Sequence, residues 1–192
     1  FIAAFTGDDR HRDAELKGMH WVLHNSLRTG YWECQQQQSD GNDGSLSNTM
    51  AIECLEYLLE RAPATVANVA VAEDLARYIE DRWIEWGPIS RISHGTMTNS
   101  GQLPMALNYL RLWRATGKAL HRAKAEALFH SYLLEHDPVL GLPQQNLKGD
   151  GAFVFNRYMS EADDPAWALR YVDLRRTLDK MPAGKPLSPD HA

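Results

Sequence analysis

Asp40 and Asp43 fall within one short stretch, Ser39-Asp-Gly-Asn-Asp-Gly-Ser45, with Glu33 a little upstream. Cleavage of a glycosidic bond needs two carboxyl groups, one protonating the leaving oxygen and the other acting as base or nucleophile. Asp43 and Asp40 are the first candidates for those roles, and Glu33 can partner either. The same residue types also make ordinary turns, since Asp, Asn and Gly bond locally to backbone and tolerate left-handed conformations. Clustered oxygens suit calcium as well, but the spacing departs from an EF-hand loop. A second set centres on His94, between Ser93 and Gly95. Imidazole titrates near neutral pH and can shuttle protons. With Tyr158, Arg157 and Asn99 it composes a lyase-like group, in which Arg or Asn neutralises a uronate carboxylate and His or Tyr abstracts a proton. The plainer alternative is a loop histidine bonded to backbone. Trp32 and Trp86 offer flat apolar faces for a sugar ring, or pack against helix ends, and Gln145 supplies an amide for hydroxyl groups.

These residues sit in three long connections, 29–46, 86–102 and 137–160, which alternate with short turns at Thr6-Gly7-Asp8, Arg61 to Thr65 and Thr116-Gly117. Between them, apolar spacing predicts six or seven helical segments. The first covers about Asp9 to Leu27 and the second begins near Ser47. The third starts behind Thr65 as N-cap and continues until Gly87-Pro88. The fourth covers about Leu103 to Ala115, with Gly117 as the left-handed residue beyond its end. The fifth runs from about Lys118 to Glu135, and the sixth from about Pro165 to Leu178, capped by Ser160 or Asp163. Ala152 to Phe155 reads as a short extended piece, and no alternating run is long enough for a sheet. In an up-down helical array alternate connections share an end, so the long loops share one rim and the short turns the other. Long loops in a compact domain usually carry a function.

The helices are related to one another. Thr6 to Leu23 realigns without a gap on Thr116 to Leu133, matching Thr6, Gly7, His11, Arg12, His20 and Leu23 with Thr116, Gly117, His121, Arg122, His130 and Leu133. Such periodicity means stacked helix–turn–helix units closing a shared core. His11, His20, His121 and His130 are then packing or surface residues rather than ligands, while Trp83, Trp113 and Trp167 belong to the core. In the repeat frame Phe1 to Thr6 is the last turn of a helix, so the chain is expected to begin inside a hairpin, as the C-terminal part of a longer protein.

Two segments, Leu110-Arg-Leu-Trp-Arg-Ala-Thr-Gly117 followed by Ala123-Lys-Ala-Glu-Ala-Leu128, and the run Asp74-Leu-Ala-Arg-Tyr-Ile-Glu80, resemble the helical hairpins of the (α/α) toroids of six-hairpin glycosidases, related polysaccharide lyases and sugar epimerases. The resemblance covers Phe1 to Leu134. It implies an all-α fold of antiparallel hairpins, a partial toroid, with substrate in the funnel lined by the long loops. It carries no catalytic motif, so the site assignments rest on rim position and side-chain chemistry.

The bulk numbers agree with one domain over 1–181 and a disordered tail over 182–192. A chain of 192 residues with 44% hydrophobic content can bury a substantial core. A net charge of −5 argues against nucleic acid, and no stretch approaches the roughly 20 apolar residues of a membrane span. Cys34 and Cys54 lack metal-like spacing, and the P-loop, HExxH and GxSxG patterns are absent. The expectation is a carbohydrate-active enzyme domain: a glycoside hydrolase with an oligo- or polysaccharide as partner and no cofactor or metal. The alternatives are a uronate lyase or epimerase, and a noncatalytic helical-repeat scaffold.

Overall fold

The computed structural model describes residues 6–26, 48–94, 97–98, 101–134, 145–146, 153–154 and 164–180. Among these residues there are six helices: α1 (Asp9–Ser26), α2 (Asn48–Glu60), α3 (Val66–Trp83), α4 (Gln102–Thr116), α5 (Ala119–Leu134) and α6 (Asp164–Asp179). The all-α expectation therefore holds. The tail after Lys180, Phe1 to Phe5 and the proposed caps Ser160 and Asp163 lie outside the described residues.

Local chemistry sets several helix ends. Thr65 is extended (φ −89°, ψ 154°), and its hydroxyl accepts from the backbone N–H of Asn68, closing the start of α3. Gly117 follows α4 at φ 70°, a left-handed conformation that only glycine adopts without strain, and its N–H donates to the Trp113 carbonyl.

The end of α3 differs from expectation. It stops at Trp83 rather than at Gly87-Pro88, and the chain turns into a small antiparallel meander of β1 (Ile84–Glu85), β2 (Arg91–His94) and β3 (Met97–Thr98). Ile84 pairs with Ile92 and Glu85 with Arg91. Both isoleucines are buried, so leaving the helix early sends one apolar pair inward and sets opposite charges side by side. A second pair, β4 (Gln145–Asn146) and β5 (Phe153–Val154), includes the middle two residues of the segment read as extended. Alternation was too brief to reveal either hairpin in the sequence.

The core is built around α4, which packs against α2, α3, α5 and α6. Leu103, Met105, Ala106, Leu107, Tyr109, Leu110 and Leu112 are all buried, so this helix is enclosed rather than amphipathic. Its buried Asn108 and Arg111 are paired. The Asn108 amide donates to the Ile52 carbonyl at 3.1 Å and accepts from Arg111 at 2.8 Å. Arg111 also reaches Glu60 at 2.8 Å and Glu56 at 3.3 Å. Burial of a guanidinium is tolerated here because its donors are matched by two carboxylates and an amide. Trp83, Trp113 and Trp167 are partly buried against this core, and the Arg122 and Arg175 guanidinium carbons lie 4.8 Å and 5.8 Å from the Trp113 ring.

Candidate functional site

Two of the three long connections meet at one end of the helices. The meander after α3 and the β4–β5 pair pack together through β3 and β4. His94 stands on β2, paired with Met97 of β3, and Gln145 stands on β4, paired with Val154. The strands bearing His94 and Gln145 thus belong to one packed group, while both side chains fall outside the described set. Asp40, Asp43, Glu33, Trp32, Asn99, Arg157 and Tyr158 also lie outside the described residues.

Beneath the hairpins, a buried amide ties loop to helices. Gln102 donates to the carbonyls of Ser90 and Leu128 at 2.8 Å and 3.2 Å, and Ser131 accepts from the Ser90 N–H at 2.7 Å. With both amide hydrogens directed at carbonyls, Gln102 Oε1 is left buried and without a hydrogen-bond partner among the described residues.

Trp86 is the one predicted contact residue whose side chain is described. It is 39% exposed and folds back along α3, where its indole N–H donates to Glu80 Oε1 at 2.9 Å. Glu80 is a hub: its other oxygen accepts from Lys124 and, at 3.3 Å, from the Tyr109 hydroxyl. The Lys124 ammonium lies 5.8 Å from the centroid of Trp86 and 5.6 Å from that of Tyr109. A second carboxylate of α3 continues the line toward the start of α5. Glu73 accepts from Lys118 and meets His121 Nε2 at 3.0 Å, and the His121 ring stacks on Tyr109 at 6.1 Å.

Electrostatics decide what this line can do. Burial, reinforced by the Glu80 charge, pushes the Tyr109 hydroxyl far above its ordinary range, so it stays a hydrogen-bond donor. Burial raises Glu73, but hydrogen bonds from Lys118 and His121 outweigh it and leave the carboxyl below its usual value. Glu73 is thus an ionised acceptor, unsuited to act as a general acid near neutral pH. Facing that acceptor, His121 presents Nε2–H, and its Nδ1 is buried without a hydrogen-bond partner among the described residues. The arrangement holds side chains in place rather than moving protons.

Sequence reasoning did not find Glu80, Lys124 and Tyr109 as a group, since spacing says nothing of contacts between separate helices. One signal was there to read. An acidic residue in the last turn of a helix opposes the macrodipole, so Glu80 needed a cation from elsewhere.

No protein-family model, curated protein or solved structure matches this chain. Among the described residues no cluster of three or more His, Cys, Asp or Glu is arranged to hold a metal ion, and no helix is long and apolar enough to cross a membrane.

Proposed function

We propose that this chain is a carbohydrate-active domain of (α/α) toroid type whose substrate, an oligo- or polysaccharide, lies across the rim formed by the long connections. The leading reaction is hydrolysis, with Asp43 and Asp40, or one of them with Glu33, as the acid/base pair. The observation that supports this reading is the packing of β3 on β4, which gathers two long connections at one end of the helices. Trp86 adds an exposed aromatic surface at the root of the same rim. The second reading, elimination from a uronate by His94, Tyr158 and Arg157, draws on the same packing, because it joins the hairpin that carries His94 to the third connection.

Product analysis on neutral and uronic oligosaccharides tests both. Under the hydrolase reading Asp43→Asn abolishes formation of new reducing ends while His94→Ala leaves it largely intact. Under the lyase reading the dependence reverses and the product carries a conjugated double bond. Intact protein that turns over neither class sinks the enzymatic proposal and leaves a binding scaffold.

A further inference from the structure

We infer that the outward side of Trp86, with Glu80 at its edge, is a subsite for a neutral pyranose. The inference rests on the carbohydrate reading and adds residues and a ligand class to it.

Trp86 is already fixed before any ligand arrives. Its indole N–H is bonded to Glu80, and its ring is backed by Lys124 and by Tyr109 at 6.2 Å. The uncovered part accounts for its 39% exposure. A large aromatic held in one rotamer offers stacking area without a further ordering cost on binding.

The polar groups at the ring's edge have capacity left. A carboxylate has roughly four acceptor sites and an ammonium has three donors. Among the described residues Glu80 accepts from Trp86, Tyr109 and Lys124, and Lys124 donates only to Glu80. Both side chains of this ion pair are 19% exposed, so their outer edges reach solvent. The remaining carboxylate site of Glu80 matches a hydroxyl of a sugar stacked on the indole, while Lys124 holds Glu80 in place. Charge selects the class of sugar. The Lys124 cation is already neutralised by Glu80, so among the described residues a uronate would bring a second carboxylate to an edge with no spare positive charge.

The test uses the whole chain labelled with ¹⁵N at tryptophan, with the Trp86 indole resonance assigned by its loss in Trp86→Phe. Oligoglucosides and oligouronates of equal length are titrated into wild type, Trp86→Ala and Lys124→Gln, each shown by circular dichroism to be folded. The expected result is a saturable shift of the Trp86 signal with the neutral series. Affinity should fall roughly tenfold or more in Trp86→Ala and less in Lys124→Gln. Saccharide binding that leaves the Trp86 signal still and is unchanged in Trp86→Ala overturns the subsite while the carbohydrate reading stands. Tighter binding of oligouronates, dependent on Lys124, overturns the neutral assignment. Failure of every saccharide to bind overturns the carbohydrate reading and the subsite together.

Discussion

The turns at Thr6-Gly7 and Thr116-Gly117 close in the same way, and the helices after them live in different surroundings. Gly7 and Gly117 take φ 67° and 70°. Each preceding threonine hydroxyl accepts from the N–H two residues on, at 3.2 Å from Asp8 and 3.3 Å from Lys118. The next backbone bond also repeats, His11 to Asp8 at 3.1 Å and His121 to Lys118 at 3.0 Å. Past that point the copies diverge. Helix α5 buries Ala125, Leu128, Ser131 and Tyr132, whose counterparts in α1 are Glu15, Gly18, Trp21 and Val22. His121 is largely enclosed against Glu73 and Tyr109, whereas His11 is exposed. Helix α1 is fastened at its surface to the turn after α2 by the Arg61–Glu15 pair, with Leu16 and Met19 against the core. A repeated motif therefore specifies a turn, and each copy's apolar positions specify how deep its helix lies.

The contrast is broken most directly in the core. Leu128→Ala should cost about 2–5 kcal/mol of unfolding free energy in denaturant titrations, as for other enclosed leucines. At the equivalent place in α1, Gly18 has open space where a Cβ would stand. The histidines sharpen the comparison next. His121→Ala should cost about 1–3 kcal/mol, since it removes a buried ring and a partner of Glu73. His11→Ala should stay within about 0.5 kcal/mol of wild type, and equal losses would refute the difference in depth.

Gly7→Ala and Gly117→Ala probe what the copies share. A Cβ at either meets nothing within 4 Å, so the cost is that of left-handed backbone alone, about 1–2 kcal/mol at both sites. A large inequality in thermal midpoint would show that the two turns are not equivalent. Gly18→Ala should instead gain about 0.5–1 kcal/mol, because alanine loses less backbone entropy inside a helix.

The mildest contrast is electrostatic. Glu15 is held below its usual value by its hydrogen bonds to Arg61. Burial raises Glu126, but Arg122 and Arg175 together bring it below the usual value. Depressed folded values mean stabilisation that is complete above the unfolded glutamate value of about 4.3 and is lost as pH falls through the folded one. Glu126→Gln should therefore flatten the acid loss of stability more than Glu15→Gln, whose surface pair is weak. Thermal midpoints measured between neutral pH and about pH 3 check this. A steeper dependence on Glu15 would place α1 deeper than it lies here.

Local features of the fold were legible because their causes are local. Thr65 read as an N-cap and Gly117 as a left-handed terminator, and each acts within a few residues of its own position. The end of α3 was misread at Gly87-Pro88, because the pairing of Ile84 with Ile92 is a tertiary event. Of the candidate site, Trp86 was legible as an aromatic opening a long connection. Its partners were not, since Glu80 and Lys124 are far apart in the chain and only the packing of α3 and α5 around α4 brings them together. His94 and Gln145 were expected on loops of one rim from the alternation of short and long connections; the structure puts them on strands, and the hairpins that carry them pack together.

By itself the sequence determined the helical character, the Thr65 and Gly117 caps and the repeated turn, all governed by hydrogen bonds and backbone preferences within one or two turns of chain. The tertiary structure decided which copy of the repeat is enclosed, and it made α4 the centre of the core. It also gave Trp86 a fixed orientation through a carboxylate that Lys124 and Tyr109 share. Those outcomes depend on burial and on charges from separate helices, and such energies exist only once the helices have met.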